Sequence, residues 1–166
     1  MLPGKRMRTA YLGLGSNINA EKNLQFAVQE LRRRFAVIKL SAVYRSAAVG
    51  FEGPDFLNLV AEIETALPPE SVNRQISEIQ ALAGREQDDE RYASRTLDID
   101  LLLVDQLSSD RLRIPRPDVL AYGFVLKPLA DIAPDFVHPE TGCTLGEHWR
   151  KFADGSHPLT ITDVIL

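Results

Sequence analysis

A run of apolar residues that holds two carboxylates at a spacing of two constrains this chain more than any other feature. The run is SRTLDIDLLLVD, Ser94 to Asp105, with Asp98 and Asp100 inside it. In a helix those side chains would point roughly 200° apart around the axis and share nothing. In a strand, the period of two sets both on one face, about 6 to 7 Å apart along the chain. Leu97, Ile99, Leu101 and Leu103 then fall on the other face. The run is short, rich in leucine and flanked by polar segments, so it reads as a buried strand. A carboxylate pair at the start of such a strand has to be solvated, matched to cations or shifted in pKa, because an uncompensated buried charge is costly.

Two arrangements meet that demand. Carboxylates on one face suit one or two Mg²⁺ ions, which would bridge phosphate oxygens. They equally suit a solvated strand end, or ion pairs with Arg91 and Arg95 just upstream. The segment Gly84 to Thr96, GREQDDERYASRT, is polar and long for a connection in a compact domain, and it carries Arg85, Arg91 and Arg95. Guanidinium groups next to metal-binding carboxylates make a site of both signs, binding phosphate oxygens in fork geometry. Asp88, Asp89 and Glu90 in the same segment also fit a solvated charge run.

The other elements follow from periodicity. Thr9 to Gly15, TAYLGLG, is a β-type run ending in glycines, and Ala20 to Phe35 repeats Leu24, Ala27, Val28, Leu31 and Phe35 at helical spacing. Ala36 to Ser46 is rich in β-branched and aromatic residues. Asp55 to Thr65 alternates Phe56, Asn58 and Val60 with Leu57, Leu59 and Ala61, so two strands follow in succession. Pro68 and Pro69 open a helix to about Ala83, its buried side made by Val72, Ile76 and Ile79 with Leu82 and Ala83. With the carboxylate strand the order is βαββαβ. This is an α+β, ferredoxin-like sandwich, with helices on one face of a mainly antiparallel sheet. A C-terminal extension adds a short strand near Arg111 to Pro115, helices around Tyr122 to Ala133 and Thr144 to Phe152, and an edge strand over Pro158 to Leu166.

With 166 residues, 45% of them hydrophobic, a single domain over residues 1–166 is expected. A net charge of −4 argues against an extended nucleic-acid surface, so any anion site is built locally. The single Cys143 excludes an internal disulfide and fits a reducing compartment. His138, His148 and His157 show no metal spacing and read as surface or capping residues, and Trp149 as a packing anchor. No run approaches the ~20 apolar residues of a membrane span, and no signal-peptide core follows the N-terminus. A cytoplasmic protein without a membrane partner is expected.

Several segments in a fixed order resemble one family. They are GLGSN after the first strand, YRS followed by VGFEGPDFLN, the pair GR, then RTLDIDLLL and GFVLKPLADIAPD. Together they are similar to 6-hydroxymethyl-7,8-dihydropterin pyrophosphokinase, over about Ala10 to Asp135. The resemblance implies a ferredoxin-like core, small-molecule substrates, and transfer of the terminal pyrophosphoryl group of ATP to a hydroxymethyl pterin in folate biosynthesis. It makes Asp98 and Asp100 ligands of two Mg²⁺ ions, and Arg85 and Arg95 phosphate-binding catalytic residues. Arg91, Ile99 and Arg116 join the nucleotide side. Asn58 would read the pterin edge, Phe56 and Phe124 would flank its ring, and backbone groups of Ser46, Ala47 and Val49 would complete its hydrogen bonds. A monomer is expected.

The nucleotide side departs from the family pattern. Gln87 stands where a second arginine is usual, Tyr92, Ala93 and Ser94 replace Trp-Gly-Pro, Arg116 replaces a histidine after Pro115, and Tyr122 replaces an arginine. These departures leave two alternatives open: a divergent pterin-binding paralogue with weak or altered ATP use, and a non-catalytic ligand-sensing module.

Overall fold

The computed structural model describes residues 6–48, 52–84, 97–152 and 158–166. In chain order these form β1 (Arg8–Ser16), α1 (Ala20–Arg34), β2 (Ala36–Leu40), β3 (Tyr44–Ser46), β4 (Phe56–Thr65) and α2 (Pro69–Gly84). Then come β5 (Asp98–Val104), α3 (Asp118–Ala121), α4 (Gly123–Ile132), α5 (Leu145–Lys151) and β6 (Thr160–Ile161). Among the described residues the strands make one six-stranded sheet in the order β5-β1-β4-β3-β6, with β2 also on β4. Every pairing of these strands is antiparallel. The βαββαβ core is therefore present, and no helix of the described residues is long and apolar enough to cross a membrane.

Alternation along the strands builds two cores. Leu12 and Leu14 of β1, Leu57, Leu59 and Ile63 of β4, and Ile99 and Leu101 of β5 meet Leu24, Val28 and Leu31 of α1 and Val72, Ile76 and Ile79 of α2. The opposite face carries Tyr11, Val60, Leu102 and Leu103, covered by Val119, Val125, Leu126, Leu129 and Leu145 from α3, α4 and α5. Helices thus lie on both faces of the sheet, not one. The reason is that the second face is itself apolar and needs a cover.

Four further expectations are corrected. Ala36 to Ser46 is two strands, because Ser41 takes over a ladder position with its side chain. Its Oγ accepts from the Val60 N–H at 2.8 Å and donates to the Ala42 carbonyl at 2.8 Å, which displaces the backbone between β2 and β3. Leu103 does not share a face with Leu101. The β1–β5 register shifts between Tyr11 and Leu12, which pair with Leu103 and Leu101, and this β-bulge turns Leu102 and Leu103 to the same side. Arg111 to Pro115 is a turn closed by reciprocal Ser109–Ile114 backbone hydrogen bonds and contains no strand. The C-terminal edge strand is only Thr160–Ile161 on β3, after which Val164 and Leu166 pack on the α1–α2 core.

His138 is buried, against the expectation of a surface residue. Its Nδ1 accepts the N–H groups of Glu140 and Thr141 at 3.2 and 3.3 Å, so it does act as a cap, for the turn before α5. Burial, and secondarily the charge of His148, holds its pKa below the ordinary value of 6.5, against a smaller opposing effect of Glu140. Below that ordinary value the unfolded chain takes up a proton that the folded chain refuses. Stability is therefore expected to fall as pH drops below about 6.5 toward the folded-state pKa. Urea midpoints between pH 5 and 8 check this, and His138→Gln should flatten the slope in that window.

Candidate active site

The site begins with two glycines. On β1, Leu12 and Leu14 point to the helices α1 and α2, so Gly13 and Gly15 fall on the opposite face. Gly15 pairs with Asp98 on one side and Asn58 on the other, and Gly13 pairs with Asp100 and Val60. Having no side chains, the glycines leave a trough between the carboxylates of β5 and the start of β4. The resulting cavity of about 260 Å³ is walled by Phe56, Asn58, Asp98, Asp100, Phe124 and Tyr122, among others. This is near the lower end of small-molecule sites, roughly 300 Å³.

Asn58 lies in an otherwise apolar strand and is buried. Its Nδ2 donates to Ser46 Oγ at 3.1 Å, which fixes the amide plane and leaves a second donor hydrogen and the Oδ1 acceptor for other partners. Gly15 makes room for it, since a Cβ built there would stand 2.7 Å from Asn58 Oδ1. Gly15→Ala is expected to displace the amide and weaken binding of a flat heterocycle by about 10-fold or more, with a stability loss of about 1–3 kcal/mol from overpacking. Parallel ligand titration and urea unfolding would check both effects. Unchanged affinity would show that the amide does not read the ligand.

The roof comes from α3 and α4. Phe124 and Val125 of α4 face the cavity, and Tyr122 stacks on Phe124 with ring centroids 5.0 Å apart and planes at 19°. The Tyr44 hydroxyl of β3 donates to Asp131, pinning α4 over the sheet. Burial first, and then this hydrogen bond, pushes the Tyr44 pKa well up, so the phenol keeps its proton.

On the other wall, Asp98 and Asp100 share a face, as their spacing requires, and both line the cavity. Arg116 follows the cis Ile114–Pro115 bond, and its backbone N–H donates to the Leu102 carbonyl at 2.9 Å, so it stands beside β5. Its guanidinium lies 3.3 Å from Asp100 Oδ1 and 3.5 Å from Asp118 Oδ2. Asp118 also lines the cavity, a participant that the sequence reading missed. Its one signal was a third carboxylate two residues beyond Pro115-Arg116.

Of the residues singled out by resemblance, the structure gathers Ser46, Ala47, Phe56, Asn58, Asp98, Asp100 and Phe124 around one cavity, with Arg116 on Asp100. Ile99 differs: its side chain is buried in the α1–α2 core, and its N–H donates to Gln80 of α2 at 3.1 Å. Val49, Arg85, Arg91 and Arg95 lie outside the described residues, as do Gln87, Tyr92 to Ser94 and His157.

A family model described as 7,8-dihydro-6-hydroxymethylpterin-pyrophosphokinase matches residues 11–134. The chain belongs to this family. A Synechocystis pyrophosphokinase, named for 2-amino-4-hydroxy-6-hydroxymethyldihydropteridine, is 39% identical over 82% of this chain and 72% of its own length. The Haemophilus influenzae protein of the same name is 35% identical, over 89% of this chain and 95% of its own length. The chain spans only 20% of the folic acid synthesis protein fol1 of Pneumocystis carinii, at 34% identity. A crystal structure of wild-type Plasmodium falciparum HPPK-DHPS with pterin and p-hydroxybenzoate superposes with a TM-score of 0.73. At 15% identity over 90% of this chain and 44% of that one, it shows that the pyrophosphokinase fold is shared.

Proposed function

We propose that this cavity binds 6-hydroxymethyl-7,8-dihydropterin against Asn58 and the phosphates of ATP against the carboxylate wall. The protein transfers a pyrophosphoryl group from ATP to the pterin hydroxymethyl group, as a diphosphotransferase of folate biosynthesis. One observation carries the reading. A fixed amide between aromatic side chains and a same-face carboxylate pair open on one trough, separated by the width of a glycine-bearing strand.

On the pterin side, Asn58 offers a donor and an acceptor to a ring edge, and Phe56 and Phe124 offer apolar faces. A flat ring held there has its hydroxymethyl arm in the trough, toward β5. On the phosphate side, Asp98 and Asp100 provide hard oxygen donors on one face, with room in the open cavity for water and phosphate oxygens to complete a shell. This donor chemistry fits Mg²⁺, which keeps several waters and takes one or two carboxylates. Two ions held by Asp98 and Asp100, when bound, would neutralise charge on the transferring group. Arg116, with Arg85, Arg95 and Arg91 of the preceding segment, supplies guanidinium groups for the remaining phosphate oxygens. The pterin hydroxyl oxygen attacks the β-phosphorus in line and gives up its proton to solvent, the bond from that phosphorus to the α–β bridging oxygen breaks, and AMP leaves with that oxygen. Binding both substrates in one trough supplies the positioning that such a transfer depends on.

Product analysis tests the reading: purified protein, ATP, Mg²⁺ and 6-hydroxymethyl-7,8-dihydropterin, with AMP and pterin diphosphate followed together. Stoichiometric appearance of both supports it. Pterin binding with no AMP would overturn it in favour of a pterin-binding paralogue without turnover.

A further inference from the structure

We propose that Arg116 is a resident counter-ion of Asp100, and that a divalent cation displaces it from that carboxylate, releasing the guanidinium toward the phosphates of the bound nucleotide. The inference rests on the reading of Asp98 and Asp100 as metal ligands, and adds to it a coupling between metal and nucleotide.

Three observations carry it. Arg116 is within ion-pair distance of Asp100 at 3.3 Å and of Asp118 at 3.5 Å, and all three side chains are partly shielded from solvent. Charges so placed interact more strongly than exposed ones. Arg116 is therefore a cation already occupying the ground that a metal on Asp100 would need, and like charges sharing one carboxylate repel. Secondly, the resting pose is incompletely bonded. The buried Nε of Arg116 has no hydrogen-bond partner among the described residues, because its approach to Asp118 lacks hydrogen-bond geometry. A buried donor left unmade is costly, so the side chain is held in this pose by charge more than by fit. Thirdly, the anchor and the head are separate. The backbone is fixed by its bond to the Leu102 carbonyl on β5, whereas the guanidinium has Asp118 as a second acid on which to pivot.

The consequence is selective loading. A bare divalent ion must break the Arg116–Asp100 pair and leaves the arginine without that partner. A metal–triphosphate complex breaks the same pair but brings oxygens that accept the freed guanidinium in fork geometry. Metal and nucleotide therefore bind with positive coupling through Arg116.

The test is Mn²⁺ binding followed by electron paramagnetic resonance of the full chain, without and with the non-transferring analogue α,β-methylene-ATP. Arg116→Gln is expected to bind Mn²⁺ alone about 10-fold more tightly than the native protein, and to lose most of the enhancement that the analogue confers. Arg116→Lys restores a mobile positive charge and is expected to bring back weak binding of the bare ion, which a merely structural role would not do. Arg116→Met provides a second neutral variant should Arg116→Gln prove unfolded by circular dichroism. Equal Mn²⁺ affinity in the native and neutral variants, with binding still abolished by Asp98→Asn and Asp100→Asn, would overturn the counter-ion role while leaving the metal site standing. Mn²⁺ binding indifferent to Asp98→Asn and Asp100→Asn would overturn the metal site and this inference with it.

Discussion

Asp98→Asn with Asp100→Asn is expected to lower kcat/KM by about 10³-fold or more, equivalent to about 4 kcal/mol of transition-state stabilisation. Pterin affinity should change little. The substitution keeps the volume and shape of both side chains and removes only charge, so the trough, the bulge in β5 and the Leu102–Arg116 backbone bond are undisturbed. Folding stability should also stay close to the native value. The pair loses a like-charge repulsion, Arg116 loses one of its two acids, and Asp118 remains within ion-pair distance of it. Steady-state rates, pterin titration and urea unfolding of the double variant separate these effects. A loss of activity accompanied by a loss of stability would place the carboxylates in folding instead of chemistry.

The second large effect is at the opposite wall. Asn58→Leu is expected to weaken pterin binding by about 10²- to 10³-fold, because a ring edge then meets no donor or acceptor and its own polar groups are buried unpaired. Nucleotide binding, proposed for the far side of the glycine strand, should be unaffected. Leucine fills much the same volume, and among the described residues Ser46 Oγ loses a partner. Pterin fluorescence titration alongside nucleotide titration checks the split. Equal loss at both ligands would mean that the substitution has deformed the sheet.

Much of this site could be read from residue spacing, and what could not has physical reasons. Asp98 and Asp100 stood out because charge interrupts an apolar run, and Asn58 because an amide does, so both announced a face and a strand. The phase of LLLV carried no such marker. With every residue apolar, a bulge that shifts Leu103 to the other side costs nothing in pattern and leaves no trace. The break at Ser41 was hidden for a related reason, since a hydroxyl standing in for a backbone ladder group is a tertiary fact about Val60. The second helical layer was missed as a layer, although its α4 helix was expected, because the need for it lies in Tyr11, Val60 and Leu102, spread over three strands. Arg116 was visible as a departure from a family pattern, but its ion pairs follow from the turn at Ser109 to Ile114, which no periodicity marks.

The floor of the cavity is made of main chain at Gly13 and Gly15, and main chain has the same shape whatever the codon beside it. Even one added carbon at Gly15 meets Asn58. A molecule designed to rest on that floor at Gly15 would therefore press against a surface that cannot be reshaped by substitution without displacing the Asn58 amide. Escape from such a molecule would have to come from the walls and roof, and there Tyr122, already exchanged and partly exposed, is the position freest to change.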